Sequence, residues 1–336
     1  MANLTEFIQR QRDAHAEFFG RTAPQDTLRP NAAWRLMREH RDLNLAPVVR
    51  EALVRYFGPP RNIEWHLHAS HGLSSQVCCL NFLAPLATRP DLLARVVGAA
   101  LGIAPPRMLP VEDGPDGEPW FVGFEWTGLA DYLGEWPAAG AATRGKYATS
   151  ADAIVRFEFE GRDETLLIEW KYTEQYGSPI DPEGNETRIG RYRDKVFAPE
   201  GPIRADLDLT VEDFFWEPFY QLLRQQMLAW RMERAKEAGA NRVRVLHISP
   251  AGNRDLHKVT SPSLRKFGQD AFEVFQSLLV DPAAFVSKSI EDVFGAIVRD
   301  VHEVDATQAW ASYLRDRYRN ILDVSTARSE QKAGAP

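Results

Sequence analysis

The sequence has few of the features that mark secreted or membrane proteins. Its 336 residues contain two cysteines, adjacent at Cys78 and Cys79, which cannot form a disulfide framework or a zinc site by themselves. The longest apolar stretch, around residues 96–104, is about half of the roughly 20 residues that a transmembrane helix needs. The N-terminal residues mix charged and apolar side chains without the apolar core of a signal peptide. We therefore expect a cytoplasmic protein with no membrane partner.

An excess of positive charge is also lacking. The chain has 40 Lys and Arg residues against 47 Asp and Glu residues, which gives a net charge of −7. Proteins that bind nucleic acid through their overall charge are basic, so a nucleic-acid partner would require a local basic patch. The remaining composition, 44% hydrophobic and 26% charged, is that of an ordinary globular protein.

The spacing of hydrophobic residues predicts an α/β fold. Residues 1–60 are predicted to form a helical N-terminal extension, and residues 61–250 a core in which a helix, three strands, a helix and a fourth strand follow one another. Residues 251–323 are predicted to form C-terminal helices packed on this core, and residues 324–336 a disordered tail. This order of elements favours a central mixed β-sheet flanked by helices, with helical extensions at both ends.

The second and third predicted strands are joined by a short glycine-containing segment, which indicates a β-hairpin. With Gly161 and Arg162 at the centre of the turn, Asp152 lies opposite Lys171, and Glu169 shares their face of the sheet. Two carboxylates about 7 Å apart can hold a hard cation such as Mg²⁺. From spacing alone, the alternative is that these side chains are exposed and form a cross-strand salt bridge worth less than about 1 kcal/mol.

The sequence Ala151-Asp152, a hairpin, and then Glu169-Trp170-Lys171 at the end of a hydrophobic strand resembles the active-site motif of the PD-(D/E)XK nuclease superfamily, which has the restriction-endonuclease-like fold. The order of the surrounding elements is similar too, although Ala151 stands where the family name has proline. The resemblance implies that Asp152 and Glu169 bind Mg²⁺, with Mn²⁺ as a substitute. It also implies the carbonyl oxygen of Trp170 as a further ligand, and Lys171 as the group that orients or activates the attacking water.

The activity that the resemblance implies is Mg²⁺-dependent hydrolysis of phosphodiester bonds, with DNA as the expected substrate. A divalent cation held by carboxylates neutralises a phosphate oxygen and lowers the pKa of a water molecule, which suits a pair of acids. The alternative is a catalytically inactive protein of the same fold that acts as a nucleic-acid- or protein-binding module. The sequence leaves open whether the chain pairs into a homodimer.

Additional polar residues are candidates for positioning the substrate. The helix after the hairpin often presents a polar residue to the active site in the superfamily, and the helix before the first strand frequently presents an acid, which is missing here. The candidates on these two helices are Gln221, Arg224, Gln225 and Gln76.

A basic segment after the third strand is the predicted nucleic-acid contact, because it follows the strand that ends in Glu169 and Lys171. A solvated surface loop is the alternative. The predicted contacts are Arg188, Arg191, Arg193 and Lys195.

Other titratable residues rank lower. Glu135 and Glu174 are spare acids near the motif. The three histidines at positions 66, 68 and 71 are interpreted mainly as a polar strand face, since no third ligand is fixed by their spacing.

Overall fold

The computed structural model describes residues 5–138, 140, 142–146, 148–301 and 306–322. The helices in these ranges are α1 (Glu6–Thr22), α2 (Arg50–Phe57), α3 (Ser75–Leu83), α4 (Pro90–Leu101), α5 (Asn185–Val196), α6 (Phe219–Arg234), α7 (Ala271–Ser277), α8 (Ile290–Asp300), α9 (Ala306–Arg317) and α10 (Arg319–Leu322). The strands are β1 (Leu28–Arg29), β2 (Ala32–Leu36), β3 (Arg107–Leu109), β4 (Glu112–Asp113), β5 (Pro119–Trp120), β6 (Val122–Trp126), β7 (Ala151–Phe159), β8 (Arg162–Trp170), β9 (Arg242–Ser249) and β10 (Phe285–Ser289). The tail predicted for residues 324–336 lies outside the described residues.

A central six-stranded mixed sheet organises the molecule, which confirms the predicted α/β class. Its strand order is β10-β9-β8-β7-β3, and β6 also pairs with β7. Strands β6, β7 and β8 are antiparallel neighbours, whereas β8, β9 and β10 run parallel. The predicted helix, three strands, helix and strand correspond to α3, β6, β7, β8, α6 and β9. The structure adds α4, β3, β4 and β5 between α3 and β6, and α5 between β8 and α6.

Helices cover both faces of the sheet, so the strands are buried on both sides and read as nearly continuous hydrophobic runs. On one face, Ile168 and Trp170 of β8 pack with Phe82 of α3 and Phe294 of α8. On the other face, Leu167 packs with residues of α6 such as Leu223 and Met227. Among the described helices, none has the length and apolar character needed to cross a membrane.

The hairpin between β7 and β8 differs in register from the prediction. Its turn is formed by Glu160 and Gly161, with φ angles of 52° and 76°, the combination that a two-residue type I′ turn requires. Ala153 therefore pairs with Ile168, and the next residues along the strands, Asp152 and Glu169, are direct neighbours. The predicted pairing was wrong by two residues, which is one full side-chain period, so the predicted face was still correct.

Two of the segments predicted to be helical also contain strands. Residues 1–60 include α1 and α2 as expected, but β1 and β2 form an antiparallel pair between them. Beyond residue 250, β10 pairs in parallel with β9 and extends the central sheet into the segment predicted to contain only helices. Strands β2 and β10 have five residues each and are mostly only partly buried, so their hydrophobic alternation is weak in the sequence.

Candidate active site

Three acidic residues lie side by side at one end of the sheet. The strand registers place Glu125 of β6 beside Asp152 of β7, and Asp152 beside Glu169 of β8. Glu125 was not among the predicted site residues, because its position depends on the pairing of β6 with β7. Its φ angle of 52° is uncommon for a residue other than glycine, and such backbone strain is often found at functional sites.

Glu169 and Lys171 form a close ion pair inside the protein. The ammonium nitrogen of Lys171 lies 2.5 Å from Oε1 of Glu169, and the two side chains are 11% and 1% exposed. The backbone N–H of Lys171 donates to the carbonyl of Ile248, which extends the pairing of β8 with β9 past the end of the strand. The alternative of an exposed surface salt bridge is therefore wrong.

Asp152 is held by the neighbouring strand. Its Oδ2 accepts a hydrogen bond of 2.7 Å from the backbone N–H of Trp170, whose side chain is buried in the hydrophobic core. Burial and the charge of Glu169 raise the pKa of Asp152 well above its usual value, although Lys171 opposes this shift. Burial lowers the pKa of Lys171, but Glu169 and the other nearby acids outweigh it and keep the ammonium protonated.

These residues suit a divalent cation. Burial raises the pKa of Glu169. In the described part of the chain, the Lys171 ammonium is the one charged group paired with its Oε1. Magnesium needs one or two carboxylates and keeps several waters, so the pair Asp152 and Glu169 is a sufficient protein contribution. Across the part of the chain that the structure describes, no three His, Cys, Asp or Glu side chains already converge as a complete ligand set.

Helix α6 contacts the site through Gln225. Its Nε2 donates to Oε2 of Glu169 at 2.8 Å and to the carbonyl of Ser150 at 2.6 Å, so the amide links α6 to both acid-bearing strands. Its Oε1 is buried and accepts no hydrogen bond. Gln221 lies one turn earlier on the same helical face, where its backbone N–H donates to Glu217.

Gln76 contacts the other side of the row of acids. Its Nε2 donates to Oε1 of Glu125 at 2.7 Å, and its Oε1 accepts from the backbone N–H of His66 at 2.9 Å. The Nε2 atom of His66 lies 3.2 Å from Oε1 of Glu125. Burial lowers the pKa of His66, but Glu125 and Asp152 outweigh it and raise the pKa above its usual value. Gln76 thus fixes both Glu125 and a histidine that the sequence did not assign to the site.

A cleft with a volume of about 540 Å³ lies beside the site, between α5 and α6. Arg188, Arg191 and Arg224 line it together with Glu135. Arg224 lies between the cleft and the acids. Its Nε donates to the hydroxyl of Thr149 at 2.9 Å, and the next residue on α6 is Gln225, which contacts Glu169.

The remaining predicted residues are distributed as follows. The basic segment contains helix α5, and its Arg193 and Lys195 are not among the residues that line the cleft. Glu135 accepts a hydrogen bond from the backbone N–H of Thr149 and pairs with Arg224 at 3.5 Å. Glu174 accepts from the backbone N–H of Tyr172 at 2.7 Å, which fixes the chain just after β8.

An acid-bearing hairpin in a mixed sheet with helices on both faces is the architecture of restriction-endonuclease-like proteins. Over residues 9–319 the chain matches the family model described as restriction endonuclease associating with ARP, and it belongs to that family. No curated protein and no solved structure matches it. Membership of this family indicates a nuclease-like protein.

Proposed function

We propose that this protein is a Mg²⁺-dependent nuclease that hydrolyses phosphodiester bonds in DNA, with Asp152, Glu169 and Lys171 as its catalytic residues. The observation that supports the proposal most directly is the pair of facing carboxylates on β7 and β8, with the Lys171 ammonium 2.5 Å from Glu169. Buried acids with raised pKa values beside a lysine are common in active sites.

Each residue has a distinct role in the proposed reaction. Asp152, Glu169 and the carbonyl oxygen of Trp170 would hold Mg²⁺, which would lower the pKa of a water molecule and neutralise charge on the phosphate. Lys171 keeps its proton and stabilises the negative charge that develops on the phosphate oxygens. Gln225 holds the carboxylate of Glu169 in place through Oε2.

Substrate binding is proposed for the cleft between α5 and α6. Arg188, Arg191 and Arg224 supply positive charge there, opposed by the single acid Glu135. The segment from Ala148, which lines the cleft, to Asp152 spans at most about 14 Å. A nucleic-acid strand with one phosphate at Asp152 and Glu169 can therefore place another phosphate, farther along its backbone, in the cleft.

The test is cleavage of supercoiled plasmid and of single-stranded DNA in the presence of Mg²⁺ or Mn²⁺. Glu169→Gln and Lys171→Ala are expected to lower the cleavage rate by about 100-fold or more, because each removes charge at the reacting phosphate. The matched control is Glu158→Gln, an acid-to-amide change on β7 near the turn, where Glu158 forms an exposed pair with Arg107. This control is expected to cleave at the wild-type rate.

Mn²⁺ titration of the same variants gives a second readout. Wild-type protein and Glu158→Gln are expected to bind the ion, and Glu169→Gln is expected to bind it more weakly. Cleavage that survives in both Glu169→Gln and Lys171→Ala would contradict the proposed site. DNA binding by a protein that neither binds Mn²⁺ nor cleaves would support the non-catalytic binding module instead.

A further inference from the structure

A second group of basic side chains lies on the N-terminal part of the chain, and its arginines carry the positive charge. We call it the N-terminal cationic cluster, and it consists of Arg12, Arg29, Arg35, His68 and His71. These residues come from α1, β1, β2 and the loop between α2 and α3. The backbones of Arg35 and His71 pair as an isolated antiparallel β-bridge, and the ring centroids of His68 and His71 are 4.8 Å apart.

The arginines of this cluster lie close together without acids between them. Many arginines elsewhere in the protein pair with an acid, as Arg21 does with Asp316 at 2.7 Å. In the described part of the chain, Arg12, Arg29 and Arg35 form no ion pair with any acidic side chain. The Nε atoms of Arg12 and Arg35 are buried and have no hydrogen-bond acceptor.

The local field is correspondingly positive. Burial lowers the pKa of Arg35, and the charges of Arg29 and Arg12 lower it further. Burial and the nearby Arg35 lower the pKa of His71 to about 4. A protein with a net charge of −7 thus keeps three mutually repelling arginines together with no ion-pair partner in the described part of the chain. Such repulsion costs stability, and a bound polyanion would relieve it.

The cluster is attached firmly to the active site through one loop. His66 contacts Glu125, and His68 follows two residues later, so their Cα atoms are at most about 7 Å apart. The amide of Asn44 fixes this loop by donating to the carbonyls of Ala69 and His71 at 2.8 and 2.7 Å. The cluster therefore keeps a fixed position relative to the acids.

We propose that the N-terminal cationic cluster binds the phosphate backbone of the nucleic acid whose scissile phosphate lies at Asp152 and Glu169. This inference rests on the proposed nuclease function. The cleft at Arg224 lies on the face of the sheet covered by α6, whereas the cluster adjoins the face covered by α3. The acids then lie between two cationic surfaces, and a nucleic-acid strand that crosses the end of the sheet contacts both of them.

The experiment measures the salt dependence of DNA binding without cleavage. A fluorescently labelled 20-base-pair duplex is titrated with the full-length protein in EDTA at several salt concentrations, and anisotropy gives the affinity. Arg29→Ala and Arg29→Glu are the test variants, because Arg29 is exposed and its replacement leaves the core intact. Arg162→Ala and Arg162→Glu are the controls, since Arg162 is exposed at the β7–β8 turn, about 23 Å along β8 from Glu169.

Loss of one phosphate contact lowers the slope of log K against log salt by about 0.9. We expect this decrease for Arg29→Ala, a weaker affinity still for Arg29→Glu, and wild-type slopes for both Arg162 variants. An unchanged slope in the Arg29 variants, or an equal decrease in the Arg162 variants, would overturn the proposal. Poly-glutamate is a second probe. If the Arg29 variants lose binding to poly-glutamate but still bind DNA as the wild type does, an acidic protein partner is favoured and the proposal is overturned.

Failure of this inference and failure of the proposed nuclease activity give different results. Wild-type cleavage that depends on Glu169, together with Arg29 variants that bind DNA normally, would remove the cluster from the substrate path and leave the active site in place. DNA binding that depends on Arg29, with no cleavage under any metal condition, would keep the cluster as a binding surface and contradict catalysis.

Discussion

The two ends of the β7–β8 hairpin carry acids in opposite electrostatic settings. Near the turn, Glu158 pairs with Arg107 at 3.0 Å and Glu164 pairs with Arg244, so each acid has a cation of its own. At the other end, Asp152 and Glu169 face each other and share a single ammonium. The same two strands thus carry balanced charge at one end and crowded charge at the other.

The difference shows which acids serve the fold. A buried acid with its own cation adds to stability or is neutral, and removal of either partner leaves an uncompensated charge. A carboxylate whose pKa is raised by a neighbouring carboxylate, as Glu169 raises that of Asp152, lowers stability when both are ionised. Such an arrangement is what the proposed function predicts, since active sites commonly trade stability for activity.

The largest effect on stability is expected at the turn end. Glu164→Gln removes the charge that balances Arg244, whose side chain is only 12% exposed, and should lower the free energy of unfolding by about 2 kcal/mol. Urea denaturation followed by circular dichroism measures it. A change within about 0.5 kcal/mol of zero would mean that the turn end does not depend on this pair.

The matching change at the site end should have the opposite sign. Asp152→Asn removes the repulsion from Glu169 while its side-chain oxygen can still accept the hydrogen bond from Trp170. In EDTA we expect it to raise the free energy of unfolding by about 1 kcal/mol, the equivalent of somewhat less than one pKa unit. Addition of Mg²⁺ should stabilise the wild-type protein and not the variant. If Asp152→Asn is less stable than the wild type in EDTA, the acids at this end of the hairpin do not lower stability as we infer.

The smallest effect is a dependence on pH. The pKa of Asp152 is raised in the folded protein, so the folded state binds this proton more tightly than the unfolded chain does. Its contribution to stability is fully present below the unfolded pKa of about 3.9 and is lost as the pH rises through the folded pKa. The stability difference between Asp152→Asn and metal-free wild type should therefore grow with pH. Thermal unfolding of both proteins at a series of pH values from about 4 upward measures this difference. A difference that does not change with pH would contradict the raised pKa of Asp152.

The sheet was largely predictable because strand signals are local. Residues 242–249 were expected as a strand and form β9, and the alternation around Glu169 correctly placed Lys171 on the same face. The register was not predictable to the residue, since Glu160 takes a left-handed conformation that the sequence does not require. Helix α5 was not predicted either, because its hydrophobic spacing is weak.

The periphery of the candidate site could not be read from the sequence. Glu125 lies beside Asp152 only because β6 pairs with β7, and Gln76 of α3 then holds both Glu125 and His66 by hydrogen bonds. The N-terminal cationic cluster arises from four separate segments. Contacts of this kind depend on tertiary structure and leave no periodic signal.

The helix residue that holds Glu125 carries no charge. Gln76 donates its amide to Glu125, which fixes that side chain without adding a charge to the row of acids. A glutamate at this position would add a like charge beside the row, and a lysine would cancel part of its charge. Under the proposed function, an amide is therefore the side chain that orients the acids and leaves their charge to a bound cation.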